Sequence, residues 1–227
     1  MQQSIITNTL FYGDNLAIMR EYIPDSKEDQ EPVDLSRIDF EALRKRFEQG
    51  RKHTEAERLK GQVNSKLKRM VRLNKTRTDY QEQLQKLIEE YNAGSLNIEI
   101  YFKALINIAQ ELDEEDQRAI SEGLSEEELA VFDILTKPEI VLTDQEKEEI
   151  KKIARDLLDN LRREKLVLDW RKRQQARASV RVTVLDGLDR LPPAYTDEMY
   201  QEKSELVYQH IYDHYYGQGK SVYAEAS

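Results

Sequence analysis

The chain has 227 residues, 35% of them charged, and a net charge of −9. It contains no cysteine, which excludes disulfides and thiolate metal sites, and no apolar run approaches the ~18 residues that indicate a membrane-spanning helix. Its eight glycines and five prolines are few for this length, which argues against a β protein with many tight turns. We therefore expect a helical, cytoplasmic protein with a thin apolar core and no membrane contact.

The first segment differs from the rest of the chain. Thr9–Gly13 predicts a short strand, and Asp14 or Asn15 can cap the helix that comes next. The polar, acidic stretch Ser26–Asp34 is typical of a linker. The expected organisation is a fragment at 1–26, a linker at 27–37, a helical domain at 38–217 and a tail at 218–227.

The helical domain is predicted to begin with a short helix and a very long one. Asp39 can cap the short helix, which ends near Gly50. Thr54 and Glu57 have the spacing of a capping box, which would open a helix running to Tyr91.

Two weak points interrupt the apolar pattern of this long helix. Gly61 and the stretch Asn74–Thr78 are positions where it can bend or break. If unbroken, it would form a rod of ~57 Å at ~1.5 Å per residue. Such a rod needs neighbours or a partner along its length.

Six further helices are predicted along the chain. Their extents are Asn97–Leu112, Glu114–Glu122, Ser125–Leu135, Thr143 to about Leu161, a basic helix from Trp170 to about Leu191, and Thr196–Tyr216. Glu128 and Glu146 complete capping boxes with Ser125 and Thr143. The fold class predicted is all-α, a multi-helix domain with one or two very long helices, preceded by a short strand–helix fragment.

Charge is segregated along the chain. Residues 44–77 carry thirteen Lys or Arg against three Glu, and residues 162–181 carry eight basic against two acidic residues. Between them, residues 111–149 carry fifteen Asp or Glu against three Lys or Arg. Either these blocks neutralise one another or are solvated, or a basic block contacts nucleic acid or an acidic partner.

One row of arginines stands out in the second basic block. Arg173, Arg177 and Arg181 are four apart and would share one face of a helix. The row is either a solvated face paired with the acidic block or a contact for phosphate or a partner protein. The candidate partner- or DNA-contact residues are Arg171, Lys172, Arg173, Arg177, Arg181, Lys66, Arg69 and Arg72.

The sequence shows no complete catalytic motif. His210 and His214 have a spacing that can chelate a metal, but Ile211 occupies the place of the glutamate base of a zinc protease. An aromatic helix face is the simpler interpretation of this segment. There is no Gly-rich nucleotide-binding loop and no nucleophile elbow, so we assign no catalytic residue, metal or cofactor.

A short segment near the start resembles the amino-group (N4/N6) DNA methyltransferases. The residues that carry the resemblance are Tyr12-Gly13-Asp14-Asn15-Leu16 and Ile23-Pro24-Asp25, within residues 8–26. The resemblance implies that Asp14 stands near the adenine end of S-adenosylmethionine. However, the family's Gly-rich turn and Asp/Asn-Pro-Pro-aromatic loop are missing, so the fragment is expected to be inert and Asp14 vestigial. A chance likeness is the alternative.

Six separated motifs resemble the C-terminal domain of the R (restriction and translocation) subunit of type I restriction–modification enzymes. In order, they are Ile38–Leu43, Met70–Asn74, Glu90–Ser95, Leu129–Leu135, Lys165–Trp170 and Val207–Tyr212, and the resemblance spans residues 34–226. It implies a parent enzyme that is an ATP-dependent, site-specific deoxyribonuclease, with its nuclease and motor domains N-terminal to this region. Their motifs are absent here, so no catalysis is expected from this chain alone.

The resemblance implies a non-catalytic assembly domain that docks the motor subunit onto the methyltransferase (M) and specificity (S) subunits. A second hypothesis is a DNA-contacting module in which the two basic blocks line duplex phosphates without sequence preference. An inert methyltransferase/restriction gene-fusion remnant is a third, and a working methyltransferase is the least favoured.

Overall fold

The computed structural model describes Leu35, residues 38–138 and residues 140–226. The methyltransferase-like fragment, Asp14 and the predicted strand lie outside the described residues. Within the described part the fold is all-α, with nine helices and one small two-stranded sheet. The helices are α1 Phe40–Glu48, α2 Lys52–Leu73, α3 Thr78–Asn92, α4 Ile98–Ser121, α5 Glu126–Thr136, α6 Asp144–Asn160, α7 Gln174–Leu188, α8 Asp197–His214 and α9 Val222–Ala226.

Five predicted helix starts are confirmed by side-chain caps. In each, a side-chain oxygen accepts a hydrogen bond from a backbone N–H of the first turn, and the capping residues are Asp39, Asn97, Ser125, Thr143 and Thr196. Glu128 and Glu146 complete the two capping boxes. The Thr54–Glu57 box was wrong, because α2 already begins at Lys52 and has no side-chain cap.

The predicted long helix is divided into α2 and α3. It stays helical through Gly61 and breaks at Asn74, whose φ of −140° and ψ of 103° are extended. The Asn74 side chain accepts a hydrogen bond from the Thr76 backbone N–H at 3.1 Å and donates one to Asp133 Oδ2 at 2.7 Å. A 3₁₀ turn over Lys75–Arg77 then leads into α3. A hydrogen bond to a distant helix therefore accompanies the break.

The two helices predicted at 97–112 and 114–122 are one helix, α4. Its buried stripe continues past Leu112 through Glu115 and Ala119 at helical spacing, so packing favours an unbroken helix. Helix α4 packs against both α2 and α3, and α1 packs on α2.

The second half of the domain encloses one apolar cluster between α5, α6, α7 and α8. Trp170 lies in it with no exposed surface, and its Nε1 donates to the Tyr215 carbonyl at 3.0 Å. A π-helical turn over Leu161–Lys165 and a 3₁₀ turn over Trp170–Lys172 connect α6 to α7.

The segment after α8 is ordered into a hairpin. Strand β1, Tyr215–Gly217, pairs antiparallel with β2, Lys220–Ser221, and α9 comes directly after it. Gly217 has φ +97°, and a Cβ there would lie 2.4 Å from the Val167 carbonyl oxygen, so only glycine fits. In the described part of the chain, no helix has the length and apolar character needed to cross a membrane.

Candidate interaction surface

The predicted arginine row lies at the start and along the outer side of α7. Arg173 is the exposed N-cap residue, and Arg177 is half-buried with its Nη1 donating to the Arg171 carbonyl at 2.6 Å. Arg181 is exposed, pairs with Glu205 of α8, and has its guanidinium 5.1 Å from the centroid of the Tyr208 ring. Within the described residues, the row forms no ion pair with the acidic block.

Arg171 connects the loop before α7 to the hairpin. Its Nε and Nη2 donate to the carbonyls of Tyr215 and Asp213, both at 3.1 Å. The guanidinium also lies 5.4 Å and 4.5 Å from the ring centroids of Tyr212 and Tyr216. Lys172, by contrast, has 80% of its side chain exposed and pairs with Asp169 at 3.0 Å.

The three candidates of the first basic block have different environments. Lys66 is only 2% exposed, and its ammonium pairs with Asp116 at 2.8 Å, so it is not available on the surface. Arg69 is half-buried. Arg72 is exposed and pairs with Glu225 of α9 at 2.9 Å.

The acidic block neutralises several of the basic residues, as the simpler interpretation of the charge pattern predicted. Lys66 pairs with Asp116, and Arg162 pairs with Glu127. Arg77, which has no exposed side-chain surface, pairs with Glu115 at 2.9 Å and with Glu126. Folding brings these opposite charges together, so ion pairs within the domain neutralise part of the segregated charge.

A buried polar network surrounds Arg77, and the sequence did not identify it. Arg118 pairs with both Glu115 and Asp133, and Asp133 has no exposed surface. Burial lowers the pKa of the Arg77 guanidinium, but hydrogen bonds and charges from Glu126 and Glu115 outweigh burial and leave that pKa raised. Nothing local marks Arg77 as buried, because its partners are 38 and 49 residues away in sequence.

The two basic blocks meet at the end of α8. Lys75 of the first block places its Nζ 2.5 Å from Asp213 Oδ2, while Arg171 of the second binds the Asp213 carbonyl. Burial raises the pKa of the Asp213 carboxyl, but the hydrogen bond and charge of Lys75 outweigh it and lower that pKa overall. Beside Asp213 is an open depression of about 420 Å³ whose lining includes Lys68, Arg72 and Lys75.

The two histidines of α8 hold elements together. His210 Nε2 lies 3.0 Å from the Tyr223 hydroxyl, which donates to the Leu73 carbonyl at 2.6 Å. His214 Nε2 lies 2.9 Å from the Arg72 carbonyl. Burial, together with the charges of His214 and Lys75, lowers the pKa of His210 to about 3. In the described ranges, no group of three or more side chains could hold a metal ion.

These features define an all-α domain in which ion pairs neutralise part of the charge, with basic residues gathered around Asp213 at the end of α8. Residues 23–214 match the model of the family described as type I restriction enzyme HindI endonuclease subunit-like, C-terminal. The chain therefore belongs to this family, which comprises C-terminal domains of type I restriction endonuclease subunits.

Two similar proteins are named as type I restriction enzyme endonuclease subunits. A protein of Methanocaldococcus jannaschii, named as the putative type I restriction enzyme MjaIXP endonuclease subunit, is 30% identical over 45% of this chain and 10% of its own length. The type I restriction enzyme HindI endonuclease subunit of Haemophilus influenzae is 24% identical over 53% of this chain and 12% of its own. The chain thus spans about a tenth of the length of these relatives. No solved structure matches it significantly.

Proposed function

We propose that this chain is an assembly domain that docks a type I restriction endonuclease subunit onto its methyltransferase and specificity subunits. Family membership supports a place in a multisubunit enzyme. The observation that carries the proposal is the position of the row Arg173, Arg177 and Arg181. Other cations of the basic blocks, such as Arg77 and Arg162, pair with the acidic block. Among the described residues, Arg173 and Arg177 form no ion pair, and Arg181 pairs with Glu205 of α8 rather than with the acidic block.

Charge reversal of the row tests this proposal. The variant R173E/R177E/R181E is compared with the wild-type chain by size-exclusion chromatography with light scattering, in the presence of a cognate methyltransferase–specificity complex. We expect the wild-type chain to co-elute with the complex at moderate salt and the variant to bind at least about tenfold more weakly. The reason is that three positive charges become negative, so the attraction to the partner and the ion pairs at the contact are both lost.

The matched control is K86E/K147E/K152E, which reverses the same number of charges at exposed lysines outside the row. It should co-elute like the wild-type chain. Normal binding by the row variant would show that the row is not the contact. Loss of its helical circular dichroism would indicate instead that the row is needed for folding.

A DNA-contacting module is the second candidate function. The observation that favours it is that Lys75 and Arg171, from the two basic blocks, bind the same residue, Asp213. Duplex DNA is therefore run with the chain at low and moderate salt. Affinity that falls steeply with salt, as release of counterions from phosphates requires, would support this function. Weak or salt-insensitive binding would contradict it, and binding to neither partner would leave an inert remnant.

A further inference from the structure

The loop 166–173 and the hairpin 215–221 pack together and are here called the loop–hairpin unit. The Gln218 N–H donates to the Leu166 carbonyl at 2.9 Å, and Gly217 lies directly against the Val167 carbonyl. Trp170 and Arg171 both donate to the Tyr215 carbonyl from the loop side. These bonds give the unit one defined conformation, so its outer surface is pre-organised for binding.

The unit exposes apolar side chains from both of its segments. Val167 is 46% exposed, Leu168 is 54% exposed and Tyr216 is 36% exposed. The backbone that presents them is irregular, since a π-helical turn precedes Val167 and Asp169 has a φ of +55°. Both features carry a conformational cost and occur often at functional sites. A group of exposed apolar side chains on such a support is typical of an interaction site.

The charge of the unit identifies the kind of partner it fits. It contains four cationic residues and one carboxylate, a net charge of +3, and these residues are Arg171, Lys172, Arg173, Lys220 and Asp169. Lys172, Arg173 and Lys220 are exposed, while Arg171 stacks on Tyr216. Tyrosine and arginine are the residue types enriched at protein–protein contacts with high binding energy.

We infer that the loop–hairpin unit binds an acidic protein segment that carries at least one apolar side chain. The inference rests on the proposed assembly function and adds the contact residues and the chemistry of the partner segment. Carboxylates of that segment pair with Lys172 and Lys220, while its apolar side chain covers Val167 and Leu168. Duplex phosphate fits less well, because it would satisfy the cations and leave the apolar side chains without a contact.

A cavity beside the hairpin supports this arrangement. It has a volume of about 190 Å³, and Arg162, Leu166, Tyr215 and Lys220 are among its lining residues. We expect a second apolar side chain of the partner segment to occupy this cavity. Its lining also includes Glu127, whose carboxylate is already paired with Arg162 and accepts a hydrogen bond from the Tyr215 hydroxyl. Buried anchors in such pockets account for a large share of binding energy at protein interfaces.

Two variants of the full chain test the inference, and affinity for the methyltransferase–specificity complex is measured by isothermal titration calorimetry. V167N/L168N removes the apolar contact, and K172E/K220E reverses the charge outside the row tested above. We expect each variant to weaken binding at least about tenfold. The matched control I120N/V141N changes two apolar side chains that are 76% and 95% exposed elsewhere, and it should bind like the wild-type chain. Circular dichroism checks that every variant is folded, and L168S replaces V167N/L168N if that variant is not.

The outcomes separate the two proposals. If the wild-type chain does not bind the complex, the assembly function and this inference both fail. If it binds and V167N/L168N or L168S binds equally well, the assembly function stands and the inference is overturned. Duplex DNA is titrated in parallel. If K172E/K220E loses only DNA binding, the unit is a phosphate contact and the inference is likewise overturned.

Discussion

At the scale of single residues, the buried guanidinium of Arg77 connects three elements. It lies just after the break between α2 and α3, and it pairs with Glu115 of α4 and Glu126 of α5. Forming such a pair contributes little net stability, because both partners lose their hydration. Breaking it is costly, because the buried Glu115 then keeps only Arg118 as a counter-charge and the half-buried Glu126 loses its ion pair.

We therefore expect R77M to lower the free energy of unfolding by about 3–5 kcal/mol, measured by urea denaturation. The control is R58M, at an exposed arginine of α2, which should change stability by less than about 0.5 kcal/mol. Neutralising the partners as well, in R77M/E115Q/E126Q, should restore part of the loss. A loss below about 1 kcal/mol in R77M would show that the network is hydrated and contributes little.

At the scale of elements, the division of the long helix depends on tertiary contacts more than on helix propensity. Both weak points were visible in the sequence, yet α2 continues through Gly61 and ends before Asn74. Asn74 is only 1% exposed, and it has a hydrogen-bond partner, Asp133, on α5. Gly61 has no such partner, and a Cβ added there would have nothing within 4 Å.

Gly61→Ala should therefore raise the free energy of unfolding by about 0.5–1 kcal/mol, since alanine loses less backbone entropy in a helix interior. Thermal unfolding followed by circular dichroism measures the change. Gly187→Ala in α7 is the comparison, because its Cβ would lie 2.8 Å from Leu157 Cδ1 and that side chain would have to shift. A gain at position 187 with none at position 61 would contradict this explanation.

At the scale of the whole molecule, the hairpin and α9 pack back onto the domain through buried tyrosines. The family match ends at residue 214, but Tyr215 and Tyr223 beyond it are 3% and 4% exposed. Tyr223 donates to the Leu73 carbonyl, so the end of the described chain binds the end of α2. Residues distant in sequence thus meet at the break in the long helix.

Truncation after His214 should destabilise the domain strongly, because it removes two buried aromatic side chains, each worth about 3–5 kcal/mol. A loss of at least about 5 kcal/mol corresponds to a fall of about 10–20 °C in Tm, measured by calorimetry. Glu225→Gln is the control, since it removes only the exposed pair with Arg72 and should cost less than about 1 kcal/mol. An unchanged Tm after truncation would show that the hairpin and α9 do not stabilise the domain.

The sequence by itself determined the all-α class, the family and five helix starts, because these depend on local patterns. A cap such as Asp39 or Ser125 bonds a backbone N–H three residues along the chain, so its signal lies within one turn. The sequence also located the arginine row, although the partner of that row stays a prediction.

Only the tertiary structure decided which cations are buried, where the long helix ends and how the chain continues after α8. Lys66 and Arg72 are both basic residues of α2, but one contacts Asp116 on α4 and the other contacts Glu225 on α9. The hairpin is fixed by the contact of Gly217 with Val167, 50 positions earlier in the sequence. The physical reason is that burial and ion pairing depend on partners that only the packed chain brings together.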